Sequence, residues 1–120
     1  MGSFRVPLRG GQREGELLGG MITGAGTAVP TVTEGCNGFT IARAGVGLLD
    51  FTFEAGVTKV SPAEPGKWAT TVTDIDGFTV VWGTYNTTTR TIRGNVLNES
   101  RAAADLVAAS GLHLHFLVYR

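Results

Sequence analysis

The clearest hydrophobic pattern lies in the last ten residues. Leu112, Leu114, Phe116 and Val118 alternate with His113, His115, Leu117 and Tyr119, which is the period of a β-strand. One face of that strand is wholly apolar and the other partly so. At an open sheet edge such a strand invites aggregation. It is therefore expected inside a sheet, paired on both sides, in a closed or sandwiched all-β domain.

The same period recurs upstream. Phe39-Thr40-Ile41-Ala42-Arg43 and Leu48 to Glu54 are two alternating runs joined by the glycine-rich Ala44-Gly45-Val46-Gly47, the signature of a hairpin. Phe39, Ile41, Leu49, Phe51 and Phe53 should face the core, with Thr40, Asp50, Thr52 and Glu54 outward. Further strands are expected over residues 57–60, 68–73, 78–85 and 90–96. They are separated by the Pro-rich stretch 61–66, an Asp74–Gly77 turn and a turn at 86–89. Ala102-Ala103-Ala104, capped by Asn98 or Ser100 and ended by Gly111, predicts one short helix or turn before the last strand. Seven to nine strands at this spacing predict a single β-sandwich or jelly-roll-like domain over residues 31–120.

Residues 1–30 break the pattern. Pro7 holds the Phe4–Arg9 stretch extended, Gly10-Gly11 and Gly15 break regularity, and residues 16–23 could form a strand that Gly19-Gly20 weakens. The region reads as an extended N-terminal arm that lies on a partner, or alternatively as an edge strand folded onto its own domain. Phe4, Val6 and Leu8 are its apolar anchors. Arg5 and Arg9 are the cations that could pair with carboxylates on the partner surface.

Composition narrows the function classes. Ten basic and ten acidic residues leave no net charge, so no global field draws the chain to nucleic acid or an anionic membrane. Only 17% of residues are charged, a low value that fits a chain hiding part of its surface in an assembly. The single Cys36 makes no intrachain disulfide. No apolar run approaches the ~18 residues of a membrane span, and no secretion signal is expected.

Candidate chemistry is sparse. His113 and His115 share one strand face, a chelating geometry, but no third ligand can be placed beside them. Asp74-x-Asp76-Gly77 lacks the remaining ligands of a calcium loop and reads as a turn. No nucleophile elbow or phosphate loop is present. Neither a catalytic residue, a metal nor a cofactor is assigned, and the chain is not expected to be an enzyme.

Several segments carry a resemblance. They are Asn37-Gly38-Phe39-Thr40, the Gly45-x-Gly47 loop, Gly83-Thr84-Tyr85-Asn86, Arg90-Thr91-Ile92-Arg93, the Ala-Asp-Leu segment at 104–106 and the closing strand. Over residues 37–120 they resemble small virion proteins of tailed bacteriophages, whose sandwich or jelly-roll domain ends in a similar apolar strand. That resemblance implies a structural virion component assembled in the host cytoplasm. It would be a capsid decoration (cement) protein binding the major capsid protein as a homo-oligomer, a trimer being one form. The alternative is a tail, spike or fibre head domain binding a receptor or glycan through Trp68, Trp82, Tyr85 and Tyr119. Contact of the arm with the capsid is an inference from its residues.

Overall fold

Among the described residues ten strands run antiparallel in two sheets. In chain order they are β1 Phe4–Gly10, β2 Arg13–Thr23, β3 Thr31–Glu34, β4 Phe39–Gly45, β5 Leu48–Phe53, β6 Lys59–Pro62, β7 Gly66–Ala69, β8 Thr79–Trp82, β9 Thr91–Leu97 and β10 Ser110–Tyr119. The computed structural model describes residues 4–10, 13–35, 37–69, 78–108 and 110–120, and for residues 4–10, 13 and 14 the backbone alone. The expected Asp74–Gly77 turn and the second half of the 68–73 strand lie outside the described residues.

In the first sheet β2 and β10 are the inner pair. β1 and β3 share the outer side of β2, and β6 and β7 share the outer side of β10. The second sheet has the order β4-β5-β9-β8. This is the all-β architecture of a sandwich, and the closing strand sits inside its sheet, paired on both sides.

Alternation explains the core. Leu112, Leu114, Phe116 and Val118 are at most 1% exposed, and they meet Leu49, Phe51, Phe53, Ile92 and Val96 from the second sheet. The ring of Phe116 lies 5.1 to 5.4 Å from those of Phe39, Phe51, Phe53 and Trp82. Three of these contacts are edge-on, the geometry favoured by the ring quadrupole. The expected β4–β5 hairpin is present, with Phe39 opposite Phe53 and Ile41 opposite Phe51.

One region differs from expectation in form. The stretch read as an arm carries β1 and β2. β2 pairs with β10 from Gly15 to Thr23, and Leu18 and Ile22 are fully buried, so residues 13–23 belong to the body of the domain. Gly19 and Gly20 of this strand lie opposite His115 and Leu114 of β10.

The helix or turn before the last strand is a turn. The Asn98 side chain accepts bonds from the Ser100 and Ala102 amides, Arg101 has a positive φ of 62°, and Ala103 bridges back to Leu97. Those local bonds, together with burial of Leu106, outweigh the helix preference of three alanines, only a few tenths of a kcal/mol per residue.

Candidate binding surfaces

The two sheets present chemically different outer faces. On the second sheet the outward positions of β4, β5 and β9 are mostly polar. Asp50 and Arg93 form a two-bond ion pair at 2.7 and 3.0 Å, Thr52 and Thr91 hydrogen-bond at 3.1 Å, and Asn95 donates to the Val81 carbonyl. Such a face is already satisfied in water.

The outer face of the first sheet is apolar and glycine-flattened. Opposite residues in an antiparallel ladder share a face. Tyr119 therefore sits with Gly15, Leu117 with Leu17, His115 with Gly19, His113 with Met21, and Gly111 with Trp68. Leu17, Met21, Trp68, Leu117 and Tyr119 are all half-buried. Lys59 places its ammonium 5.5 Å from the centre of the Tyr119 ring, a cation–π contact. The Trp68 indole N–H is buried without a hydrogen-bond partner among the described residues.

The residues singled out from sequence distribute unevenly over these surfaces. Phe4, Arg5, Val6, Leu8 and Arg9 lie in β1, opposite Gly19, Leu18, Leu17, Gly15 and Glu14, and their side chains are outside the described part. His113 is exposed and His115 half-buried on the apolar face. Among the described residues no three His, Cys, Asp or Glu side chains converge on a metal-sized site. Of the four aromatic residues considered for stacking, Trp82 and Tyr85 pack against the core, and the Tyr85 hydroxyl donates to the Val57 carbonyl at 2.9 Å. Burial pushes that phenol's pKa up. Only Trp68 and Tyr119 remain on the first sheet's outer face.

Two electrostatic features were invisible in the sequence as pairs. Asp105, in the turn before β10, accepts two bonds from Arg43 of β4 at 3.0 and 2.9 Å and one from the Gly47 amide at 3.0 Å. Both charged side chains are largely covered, at 20% and 15% exposure. The Arg43 hydrogen bonds hold the Asp105 carboxyl below its usual range, against the opposing effect of burial. Gly47 supports this joint with a φ of 68°, and a side chain there would strike the Val96 carbonyl. At the other end of the sandwich Arg120 pairs with Glu16 of β2 and with Glu54 just after β5, tying the two sheets together. The 62-residue separation of Arg43 and Asp105 leaves no local signal of the pair in the sequence.

A third surface is a cleft of about 640 Å³ between β3 and β4. Val29, Pro30, Val32, Phe39 and Ile41 supply its apolar walls, and Val29 and Val32 are 45% and 46% exposed. Among known proteins, no family model, no curated sequence and no solved structure matches this chain.

Proposed function

We propose that the chain is a non-catalytic structural module that works by laying the outer face of its first sheet on a larger assembly. In the most specific form of this reading it is a decoration protein on the head of a tailed phage. The observation that carries the docking part is the contrast between the two outer faces. One is mostly polar and carries its own ion pair and hydrogen bonds, with Val81 exposed on its β8 edge, while the other offers Leu17, Met21, Trp68, Leu117 and Tyr119 half-exposed. An apolar, nearly uncharged face suits a protein surface better than nucleic acid, which demands clustered cations. The phage part rests on the resemblance of residues 37–120, and the major capsid protein is the partner it implies.

Decoration is a chemistry of many weak contacts. Each copy contributes modest burial, and repetition over a shell multiplies it. The β1 strand enters this reading as a rim of the docking sheet, with Phe4, Val6 and Leu8 opposite Gly19, Leu17 and Gly15. Removing residues 1–15 would take away a whole strand, so a surface substitution is the cleaner test. Leu17→Glu together with Leu117→Lys puts opposite charges across one rung of the ladder, preserving cross-strand attraction while ending the apolar character of the face. Heads assembled from the capsid protein of the same source should bind the natural chain and lose the double variant. Equal occupancy by both would refute the docking face. Binding of the natural chain to glycans but not to heads would favour the receptor-binding alternative.

A further inference from the structure

We infer that the free edge of β4 is a pairing surface for a second copy of this chain, joining the two second sheets across a two-fold axis at Ile41. This inference uses a different surface from the proposed docking face and does not depend on it.

The hydrogen-bond phase of β4 can be read from its neighbours. Glu54 N donates to the Gly38 carbonyl, which makes Phe39–Phe53 a wide, non-hydrogen-bonded pair. Narrow and wide pairs alternate, so Ile41 and Arg43 are also in wide pairs with Phe51 and Leu49. The bond from Phe53 N to the Arg90 carbonyl sets the same phase from the other side of β5. In a wide pair the residue's own N–H and C=O point away from its partner strand. Phe39, Ile41 and Arg43 therefore present a row of donors and acceptors at the edge of the sheet, where no described strand pairs with them.

The other sheet edges carry devices that discourage pairing. β1 contains Pro7 and β6 ends on Pro62, β7 carries Lys67, and β3 and β8 are four residues long. Prolines, lysines and short strands are the usual guards of an open edge. β4 is seven residues long with neither Pro nor Lys, and its only irregularity is the bulge between Arg43 and Gly45 at its end. Its outward side chains, Thr40, Ala42 and Ala44, are small and exposed. The 640 Å³ cleft beside it leaves room for an incoming strand.

A second copy fits this edge without conflict. With Ile41 opposite its symmetry mate, Thr40 of one copy faces Ala42 of the other, and Phe39 faces Arg43. No like charges meet, because the guanidinium of Arg43 lies across from an aromatic residue and is already neutralised by Asp105. The cleft walls Val29, Pro30, Val32, Phe39 and Ile41 carry no charge, so the apolar rim of one copy matches that of the other. About this axis the ladder runs from Phe39 to Arg43, five rungs spanning about 17 Å, a small contact at the weak end of specific interfaces. Dimerisation at micromolar concentration is the expected outcome.

Sedimentation velocity over roughly 1 to 500 µM tests this. The natural chain should pass from monomer to dimer in that range, with slowed hydrogen exchange at the Phe39 and Ile41 amides in the dimer. Thr40→Lys with Ala42→Lys sets like charges directly opposite at two symmetric rungs, and at about fivefold each should weaken the dimer ~30-fold. Thr40→Lys with Ala42→Glu sets opposite charges there and should restore it to within about tenfold of the natural chain. Both variants change exposed side chains, and unchanged circular dichroism will verify the fold. A natural chain that stays monomeric at the highest concentration, or a dimer untouched by the two lysines, would overturn the inference. Failure of the Lys/Glu variant to recover would overturn the two-fold register.

Discussion

Phe116 offers the sharpest test of how the sandwich is held together. Its side chain is fully buried and, among the described residues, is the one ring that touches aromatic residues from β4, β5 and β8 together. Truncation to alanine removes a ring of about 100 Å³, and a cavity of that size costs ~2.4 kcal/mol at about 24 cal/mol per Å³. Lost transfer of the ring's apolar surface adds roughly 2 kcal/mol. The sum, about 4 kcal/mol, is a large part of the 5–15 kcal/mol that stabilises a typical domain. In urea, at a slope of roughly 1–3 kcal/mol per M, the unfolding midpoint should fall by about 2 M. Trp82 fluorescence is a suitable probe, because its ring lies 5.2 Å from that of Phe116.

The neighbouring substitution supplies the control. Leu117 is on the opposite face of the same strand and half-exposed, so Leu117→Ala should cost less than about 1 kcal/mol. A slip of one residue in register would exchange these two roles. Equal costs at positions 116 and 117, or a Phe116→Ala cost below about 1.5 kcal/mol, would refute the placement of the core face.

Three further outcomes are expected. Gly111→Ala would drive a methyl group into the Ile22 carbonyl and the Trp68 ring, and should destabilise by about 3 kcal/mol or prevent folding, read as a loss of thermal midpoint. Asp105→Asn should flatten the acid limb of the stability profile. The folded-state pKa of this carboxyl is depressed, so its contribution is present above the ordinary carboxylate pKa of about 3.9 and is lost as pH falls towards the folded value. Urea midpoints measured from pH 6 down to about pH 3 should therefore converge for the natural chain and the variant, and parallel curves would contradict the assignment. Arg120→Ala should cost less than about 1 kcal/mol and less again at high salt, because its side chain is 35% exposed.

What could be read from the sequence was what is written locally. The alternation from Leu112 to Tyr119 and the two runs flanking Gly45-x-Gly47 each declare a strand and its buried face without reference to distant residues. β2 was harder, because Gly15, Gly19 and Gly20 mask its alternation; its burial depends on partners in β10, about a hundred residues away. Ala102 to Ala104 left helix and turn both open, and the turn forms because helix propensity there is weaker than the Asn98 cap and the Asp105–Arg43 attachment. The Pro-rich stretch 61–66 reads as a loop, but Ser61 and Pro62 belong to β6 and Gly66 to β7, both of which line one edge of β10. Strand order, and with it the open edge of β4, has no local signature at all. For the same reason the residues of the apolar outer face, drawn from β2, β7 and β10, could not be grouped before the sheet was assembled.

Imaging assembled heads by electron microscopy tests the functional proposal most directly. Density for this chain should lie on the outer shell, with Leu17, Met21, Leu117 and Tyr119 against the capsomer and the Asp50–Arg93 face turned to solvent. Heads without such density, or contact made through the Asp50–Arg93 face, would contradict it.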